Sequence, residues 1–303
     1  MSIWHIYGGN RLTGSTRVQG AKNAVLPIMA ASVLSGGETV LHNVPDLRDV
    51  TTTLRILQHL GCTAVRDGDT VRIDSRGMHC DFIPHALMRE LRSSVIFLGA
   101  ILARFGTARL SMPGGCELGP RPVNLHLDAL RALGAEVTER GGDIICRAHA
   151  LQGRRILLPF PSVGATENAM LAACAAAGET VICNAAREPE IADLQCYLRK
   201  LGADISGAGT STVTVGGFRP RPFVEHTIMP DRIVAATILC AAAACGGEVE
   251  LQDVDPAHFS TVLDSLSEAG CAIITTASAV RLTSDGQLTA PRPVVTQPYP
   301  GFP

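Results

Sequence analysis

The sequence predicts an α/β protein built from a repeated βαβαββ unit. A long pattern recurs four times, and in each copy an amphipathic helix is followed by a glycine, at Gly61, Gly134, Gly202 and Gly270, 68 to 73 residues apart. Each copy contains an apolar helix of small residues, a strand opened by glycine, an amphipathic helix and a closing pair of strands. Because one such unit cannot bury its apolar face alone, the copies must pack on one another.

The helices rich in small residues are predicted at Ala24–Leu34, Ser94–Arg104, Ala165–Ala177 and Ile233–Cys245. Small residues on all sides of a helix allow close packing, so we expect all four helices inside a layer, against a sheet.

The amphipathic helices show apolar residues at helical spacing and are expected to face solvent on one side. They are predicted at Leu54–Leu60, Leu127–Leu133, Leu194–Leu201 and Val262–Ala269. The strands that precede them are predicted at Glu38–Leu41, Ala108–Met112, Glu179–Ile182 and Glu248–Leu251. In the first unit, Asp67-Gly68-Asp69 is a turn signal that predicts a hairpin of Thr63–Arg66 with Thr70–Ile73.

Composition limits the class of protein. With 303 residues, 46% of them hydrophobic, the chain is long enough for about two domains. A net charge of −2 argues against a nucleic-acid partner, whose phosphates demand a basic excess. The sequence shows no signal segment, and its longest nearly uncharged run, Ile233–Gly247, is shorter than the ~20 residues that span a bilayer. We therefore predict a cytoplasmic protein without a membrane partner.

The ten cysteines occur singly, without CxxC or Cys/His metal spacing. Most lie in apolar surroundings, such as those of Cys174 and Cys240, which predicts reduced thiols in the core. We expect neither a metal nor a cofactor.

Cys116 is the exception, because it lies in the loop 113–123, where three glycines and three prolines in eleven residues exclude regular structure. An exposed thiol with Arg121 five residues away is a candidate for chemistry. The alternative is a small residue that fills a turn.

Polar or cationic residues stand at the starts of all four small-residue helices: Lys22-Asn23, Arg92, Ser162-Val163-Gly164 and Asp231. If the units surround a common axis, these helix N-termini form a ring that suits an anion. The alternative for Lys22 and Arg92 is a solvated side chain at a helix end. Glu188 and Glu190 are candidate acid/base groups, although a capping or ion-pair role at the following helix explains them equally well.

Taken together, five segments resemble the family of UDP-N-acetylglucosamine 1-carboxyvinyltransferases, which are enolpyruvyl transferases. The segments are Gln19–Ala24, Pro113–Val123, Ser162–Thr166, Asn184–Ile191 and Pro230–Arg232. The resemblance implies an inside-out α/β barrel of βαβαββ repeats, with four of six units present. It also implies a complete domain at 22–229 and a partial second domain made of 1–21 plus 230–303.

The resemblance further implies transfer of the enolpyruvyl group of phosphoenolpyruvate to the 3′-hydroxyl of the UDP-sugar, the first committed step of peptidoglycan synthesis. Cys116 resembles the family's general acid, which also forms a covalent adduct. The positions that resemble substrate-binding residues are Lys22, Asn23, Arg92, Arg121, Pro122, Val123, Asn124, Leu125, Ser162, Val163 and Gly164. Glu188, Glu190 and Asp231 are candidate active-site carboxylates.

The sequence departs from the family pattern at several places. Asn124 stands where many members carry aspartate, and Phe160 where some carry lysine. Residues 294–297 are predicted as a strand leading into a proline-rich turn, as at the entry to a further unit. The family's catalytic Thr-Asp pair would follow Pro303, so we expect these 303 residues alone to be slower by orders of magnitude, since one positioned acid or base contributes ~10²–10⁴-fold.

Three other interpretations stay open at this point. The related shikimate-pathway transferase lacks a Pro-Gly-Gly-Cys loop, so Cys116 argues against it. An enolpyruvyl transferase acting on another uridine nucleotide fits the same motifs. A non-catalytic UDP-sugar-binding or scaffold protein would bind the nucleotide sugar weakly or expose apolar surface.

Overall fold

The chain divides into two compact units in the computed structural model, which describes residues 3–5, 7–111 and 123–302. The larger unit runs from Lys22 to Met229. The smaller unit joins the residues before Lys22 to those from Pro230 onward.

Four sheets of four strands share one topology. An outer strand pairs in parallel with the second strand, which pairs antiparallel with the third, which in turn pairs antiparallel with the last. These sheets correspond to the four predicted βαβαββ units, although the outer strands of two sheets are distant in sequence from the other strands of their sheet.

The larger unit contains three of these sheets. Its first sheet, in spatial order, is β13 (Phe223–Thr227), β2 (Glu38–His42), β4 (Thr70–Asp74) and β3 (Thr63–Asp67). Its second is β5 (Phe82–Ile83), β6 (Thr107–Ser111), β8 (Asp143–Arg147) and β7 (Glu136–Arg140). Its third is β9 (Arg155–Leu157), β10 (Thr180–Cys183), β12 (Thr212–Phe218) and β11 (Ala203–Ser206). The last strand of this unit, β13, thus completes the first sheet.

The helices of the larger unit also follow the repeat. The small-residue helices are α1 (Lys22–Ala31), α4 (Phe97–Phe105) and α6 (Val163–Ala173). The amphipathic helices are α2 (Arg48–His59), α5 (Asn124–Ala132) and α7 (Pro189–Leu201), and a short α3 (His85–Glu90) precedes a 3₁₀ turn at Arg92–Ile96. Helix α4 contacts both α1 and α6, so the three small-residue helices form the core of this unit, as predicted.

The smaller unit has one sheet, made of β1 (Leu12–Arg17), β14 (Gly247–Gln252), β16 (Ala279–Ser284) and β15 (Ala272–Thr275). Its helices are α8 (Arg232–Cys245) and α9 (Ser260–Glu268). Its core forms where Ala235 and Leu239 of α8 pack with Leu251, Val280 and Leu282 of the sheet.

Helix α8 corrects one prediction. We expected it to be buried on all sides like the other small-residue helices, but Ile233, Cys240 and Ala241 are exposed. The reason is that α8 packs within its unit on the sheet and on α9, whereas α1, α4 and α6 also pack on one another. The prediction that Cys240 is a core thiol is therefore wrong, although Cys174 is buried as expected.

Residues 294–297 also differ from the prediction. They form no strand, and only an isolated bridge joins Thr296 to Phe302. The flanking prolines Pro293 and Pro298 lack the amide hydrogens that a strand ladder needs. Within the ranges that the structure describes, no helix combines the length and the apolar character needed to cross a membrane.

Candidate functional site

Lys22 and Asn23 are the first two residues of α1, and both side chains are exposed. The rest of this helix, Ala24 to Ala31, is buried, so its polar start is the accessible part. The Lys22 Nζ lies 3.7 Å from Asp49 Oδ2, in the first turn of α2. A cation thus stands at a helix N-terminus, where the backbone amides also favour an anion.

Asp49 also lines a cleft of about 660 Å³. Its lining consists of Arg48, Asp49, His85, Ala86, Arg89 and Glu90. The Glu90 carboxylate accepts a hydrogen bond from Arg55 Nη1 over 2.5 Å. Three of the lining residues are of basic type, namely Arg48, His85 and Arg89. The two acidic ones, Asp49 and Glu90, are paired with Lys22 and Arg55.

Two of the predicted nucleotide-binding segments lie side by side in the larger unit. His126 follows Asn124 and Leu125 in the first turn of α5, and its ring rests on Gly164 at the start of α6. A Cβ atom added to Gly164 would lie 2.7 Å from His126 Cε1, so only glycine permits this approach. The structure thus brings Asn124 and Leu125 next to Ser162, Val163 and Gly164.

Ser162 is the N-cap of α6, as its position before the small-residue run predicts. Its Oγ accepts a hydrogen bond from the Ala165 amide over 3.4 Å, and its carbonyl accepts one from Thr166 Oγ1 over 2.8 Å. The start of α6 is therefore fixed by its own side chains and presents the amides of its first turn.

Glu188 and Glu190 are buried at the start of α7, close to the buried Glu167 of α6. Glu188 is the N-cap residue of α7, but its side chain makes no capping hydrogen bond. Burial raises the pKa of the Glu167 carboxyl well above its usual range, and the negative charges of Glu190 and Glu188 raise it further. Glu167 therefore keeps its proton to a higher pH than an ordinary glutamate, and two carboxyl groups lie beside it.

Asp231 belongs to the smaller unit and has an evident structural task. Its Oδ1 accepts hydrogen bonds from the amides of Ile233 at 2.9 Å and Val234 at 3.1 Å. It is therefore the N-cap of α8.

Several predicted site residues lie outside the part of the chain that the structure describes. They are Cys116, Arg121 and Pro122, together with the side chain of Arg92. Val123 is the N-cap residue of α5 and is half-buried.

Sequence reasoning missed the residues of the cleft and two buried polar groups. The apolar spacing of α2 becomes visible in the sequence only at Val50 and Leu54, so it does not predict that Arg48 and Asp49 belong to the helix. Glu167 and Asn168 carry a usable signal, since each is a polar residue inside an otherwise apolar helix. No spacing rule could name their partners, which come from other helices.

Comparison with known proteins adds a second line of observation. Residues 6–303 match the family described as EPSP synthase (3-phosphoshikimate 1-carboxyvinyltransferase). The chain is 46% identical over 303 residues to UDP-N-acetylglucosamine 1-carboxyvinyltransferase 2 of Caldanaerobacter subterraneus subsp. tengcongensis, covering 100% of this chain and 73% of the relative. It is 48% identical over 304 residues to UDP-N-acetylglucosamine 1-carboxyvinyltransferase 1 of Symbiobacterium thermophilum, covering 98% of this chain and 69% of the relative.

Solved structures agree on the fold. The enolpyruvyl transferase NikO from Streptomyces tendae superposes with a TM-score of 0.82 at 26% identity, over 92% of this chain and 67% of that one. EPSP synthase from Acinetobacter baumannii superposes with a TM-score of 0.68 at 20% identity, over 92% of this chain and 66% of that one. The fold predicted from the sequence is confirmed.

Proposed function

Since the chain belongs to the family of UDP-N-acetylglucosamine 1-carboxyvinyltransferases, we propose that it transfers the enolpyruvyl group of phosphoenolpyruvate to the 3′-hydroxyl of UDP-N-acetylglucosamine and releases phosphate. One observation carries this proposal: the identity of 46% and 48% to two relatives of that name, over practically the whole chain. The solved shikimate-type structure is only 20% identical and supports the fold alone.

The larger unit offers suitable groups for both anionic substrates. Lys22 and Asn23, at the exposed start of α1, are proposed to hold the phosphate and carboxylate of phosphoenolpyruvate, and Arg92 and Arg121 supply further cations. The adjoining segments at Asn124 and Ser162–Gly164 are proposed to hold the nucleotide, with Pro122, Val123 and Leu125 against the base. The backbone amides in the first turn of α6 are hydrogen-bond donors at a helix N-terminus, which suits the diphosphate of the nucleotide.

Cys116 is proposed as the general acid that protonates the methylene carbon, with the pyruvate-derived adduct on its Sγ as a covalent form. The proposal rests on its place in the Pro113-Gly114-Gly115-Cys116 loop. Glu188 and Glu190 are proposed as carboxylates of the active-site wall, whereas the capping bonds of Asp231 support a structural role. If the reaction is correct, the protein acts in the cytoplasm in peptidoglycan synthesis, and thereby in cell shape and division.

The test measures phosphate release from phosphoenolpyruvate with UDP-N-acetylglucosamine, with UMP, and without a nucleotide. Calorimetry with UDP-N-acetylglucosamine runs in parallel. We expect binding of the UDP-sugar and phosphate release that requires both it and Cys116. The Cys116→Ser variant is compared with Cys196→Ser, which removes an exposed thiol on α7.

Three results would contradict the proposal: no binding heat with the UDP-sugar, equal turnover with UMP, or equal turnover by Cys116→Ser. Equal turnover with UMP would favour the transferase that acts on another uridine nucleotide.

A further inference from the structure

Asn168 is a fully buried amide in the second turn of α6 that joins three helical segments. Its Oδ1 accepts a hydrogen bond from the Gly99 amide, in the first turn of α4, over 2.8 Å. Its Nδ2 lies 3.0 Å from the Val95 carbonyl and 2.7 Å from His126 Nδ1 on α5. All the polar atoms of this side chain thus have partners on other elements.

The orientation of the Asn168 amide follows from its partners. The Gly99 amide can only donate, so the atom facing it must be the acceptor Oδ1. The Val95 carbonyl can only accept, so the atom facing it must be Nδ2. Because the orientation is fixed from two sides, the second Nδ2 hydrogen points at His126.

This orientation determines the tautomer of His126. A ring nitrogen that accepts from Nδ2 cannot carry a proton, so the imidazole hydrogen resides on Nε2. Burial lowers the pKa of His126 to about 4, which agrees with a neutral ring. The ring edge with Cε1 and Nε2 is the edge that rests on Gly164, since a Cβ there would lie 2.7 Å and 3.2 Å from these atoms.

We propose that Asn168 is a positioning residue for the nucleotide substrate: by fixing His126 in the neutral Nε2–H tautomer, it holds the start of α5 at Asn124 and Leu125 against the turn Ser162–Gly164. The inference rests on the proposed function, because the segments that it joins are the proposed nucleotide-binding segments. It adds Asn168 and His126 to the residues that set nucleotide affinity. Neither residue needs to touch the reacting atoms.

The first experiment needs no ligand. Nitrogen chemical shifts of ¹⁵N-histidine-labelled protein distinguish the two tautomers and the imidazolium, and His126→Asn identifies the signal among the nine histidines. We expect a neutral Nε2–H ring at pH 7. An Nδ1–H ring or an imidazolium at that pH would overturn the inference, whether or not the protein binds nucleotide.

The second experiment measures the Kd of UDP-N-acetylglucosamine by calorimetry. Asn168→Asp keeps the size of the side chain but removes both of its hydrogen-bond donors, so His126 must carry its proton on Nδ1. We expect the Kd of the UDP-sugar to rise roughly tenfold, equivalent to about 1.4 kcal/mol. His126→Asn keeps an acceptor near the position of Nδ1, so its Kd should stay within about threefold of that of the parent protein. His126→Phe has no acceptor there and should lose as much affinity as Asn168→Asp. The exposed His149→Phe is the control.

A Kd unchanged in Asn168→Asp, or equal losses in His126→Asn and His126→Phe, would overturn the inference. Absence of UDP-sugar binding in the parent protein would instead contradict the proposed function, while the tautomer measurement would still decide on the positioning arrangement.

Discussion

The Thr166 hydroxyl accepts a hydrogen bond from the backbone amide of Ala186 over 3.1 Å and so ties the first turn of α6 to the segment that enters α7. Both residues are fully buried. The segment after Ala186 carries Glu188 and Glu190, so one hydroxyl connects the proposed nucleotide turn to the proposed carboxylates.

Replacing Thr166 by valine keeps the shape but leaves the Ala186 amide without its acceptor. A buried donor that loses its partner costs about 1–3 kcal/mol, so we expect Thr166→Val to lower the free energy of unfolding by that amount in urea titrations. Thr237→Val on α8 is the matched control, because the exposed Thr237 hydroxyl bonds only to the Ile233 carbonyl of its own helix. Equal effects of the two substitutions would show that the bond to Ala186 contributes nothing.

Glu167 predicts a pH dependence of stability. Its pKa is raised in the folded state, so the folded protein binds the proton more tightly than the unfolded chain. The Glu167 contribution is therefore fully present below the unfolded pKa of about 4.3 and decreases as the pH rises toward the folded pKa. Glutamine imitates the protonated form at every pH.

We therefore expect Glu167→Gln to leave the melting temperature unchanged near pH 4 and to raise it by a few degrees at pH 8. Scanning calorimetry at both pH values measures this. Glu139→Gln, at an exposed position of β7, should change neither value. A lower melting temperature of Glu167→Gln at pH 8 would show that Glu167 is ionised and paired in the folded protein.

The repeat explains why the fold was predictable and the details of the site were not. The glycines at Gly61, Gly134 and Gly202 all adopt a positive φ at the end of an amphipathic helix, which is a local requirement that the sequence displays. The start of α7 differs from the prediction by two residues: the helix begins at Pro189, not near Ile191, and its apolar spacing becomes visible only at Leu194. Apolar periodicity detects the buried stripe, whereas a first turn is set by proline and capping geometry.

Contacts between helices could not be read in the same way. The polar Asn168 stands out within an apolar helix, but its bond to His126 spans 42 residues and depends on how α5 and α6 pack. The exposure of Cys240 has the same origin, because its surroundings in sequence are those of a core residue. Neighbours from other elements decide both cases.

The Asp193 carboxylate binds two donors near the end of the larger unit, the buried His226 ring and the half-buried Met229 amide. Its Oδ1 lies 2.9 Å from His226 Nε2, and its Oδ2 accepts a hydrogen bond from the Met229 amide over 3.2 Å.

Asp193→Ala leaves both donors unpaired, so we expect a loss of about 2–5 kcal/mol in the free energy of unfolding. Asp193→Asn keeps one acceptor and should lose about half as much. The exposed Asp128→Ala should change the urea midpoint little, and a similarly small effect at Asp193 would contradict the expectation.

Burial predicts which thiols react. Burial raises the pKa of Cys62 to about 11 and of Cys146 and Cys174 to about 12, so these thiols carry almost no thiolate at pH 8. Cys196 and Cys245 are exposed. Because the thiolate is the reactive species and must be reached by the reagent, brief labelling with iodoacetamide at pH 8 should modify Cys196 and Cys245 and spare the three buried thiols.

Peptide mass spectrometry after labelling gives the extent of reaction at each position. Labelling in urea is the control, and there all five thiols should react alike. Modification of Cys146 or Cys174 in the native protein at the rate of Cys196 would mean that the α6 core and the second sheet open far more readily than their packing implies. Protection of all three buried thiols would support the buried core of the larger unit, on which the proposed site is built.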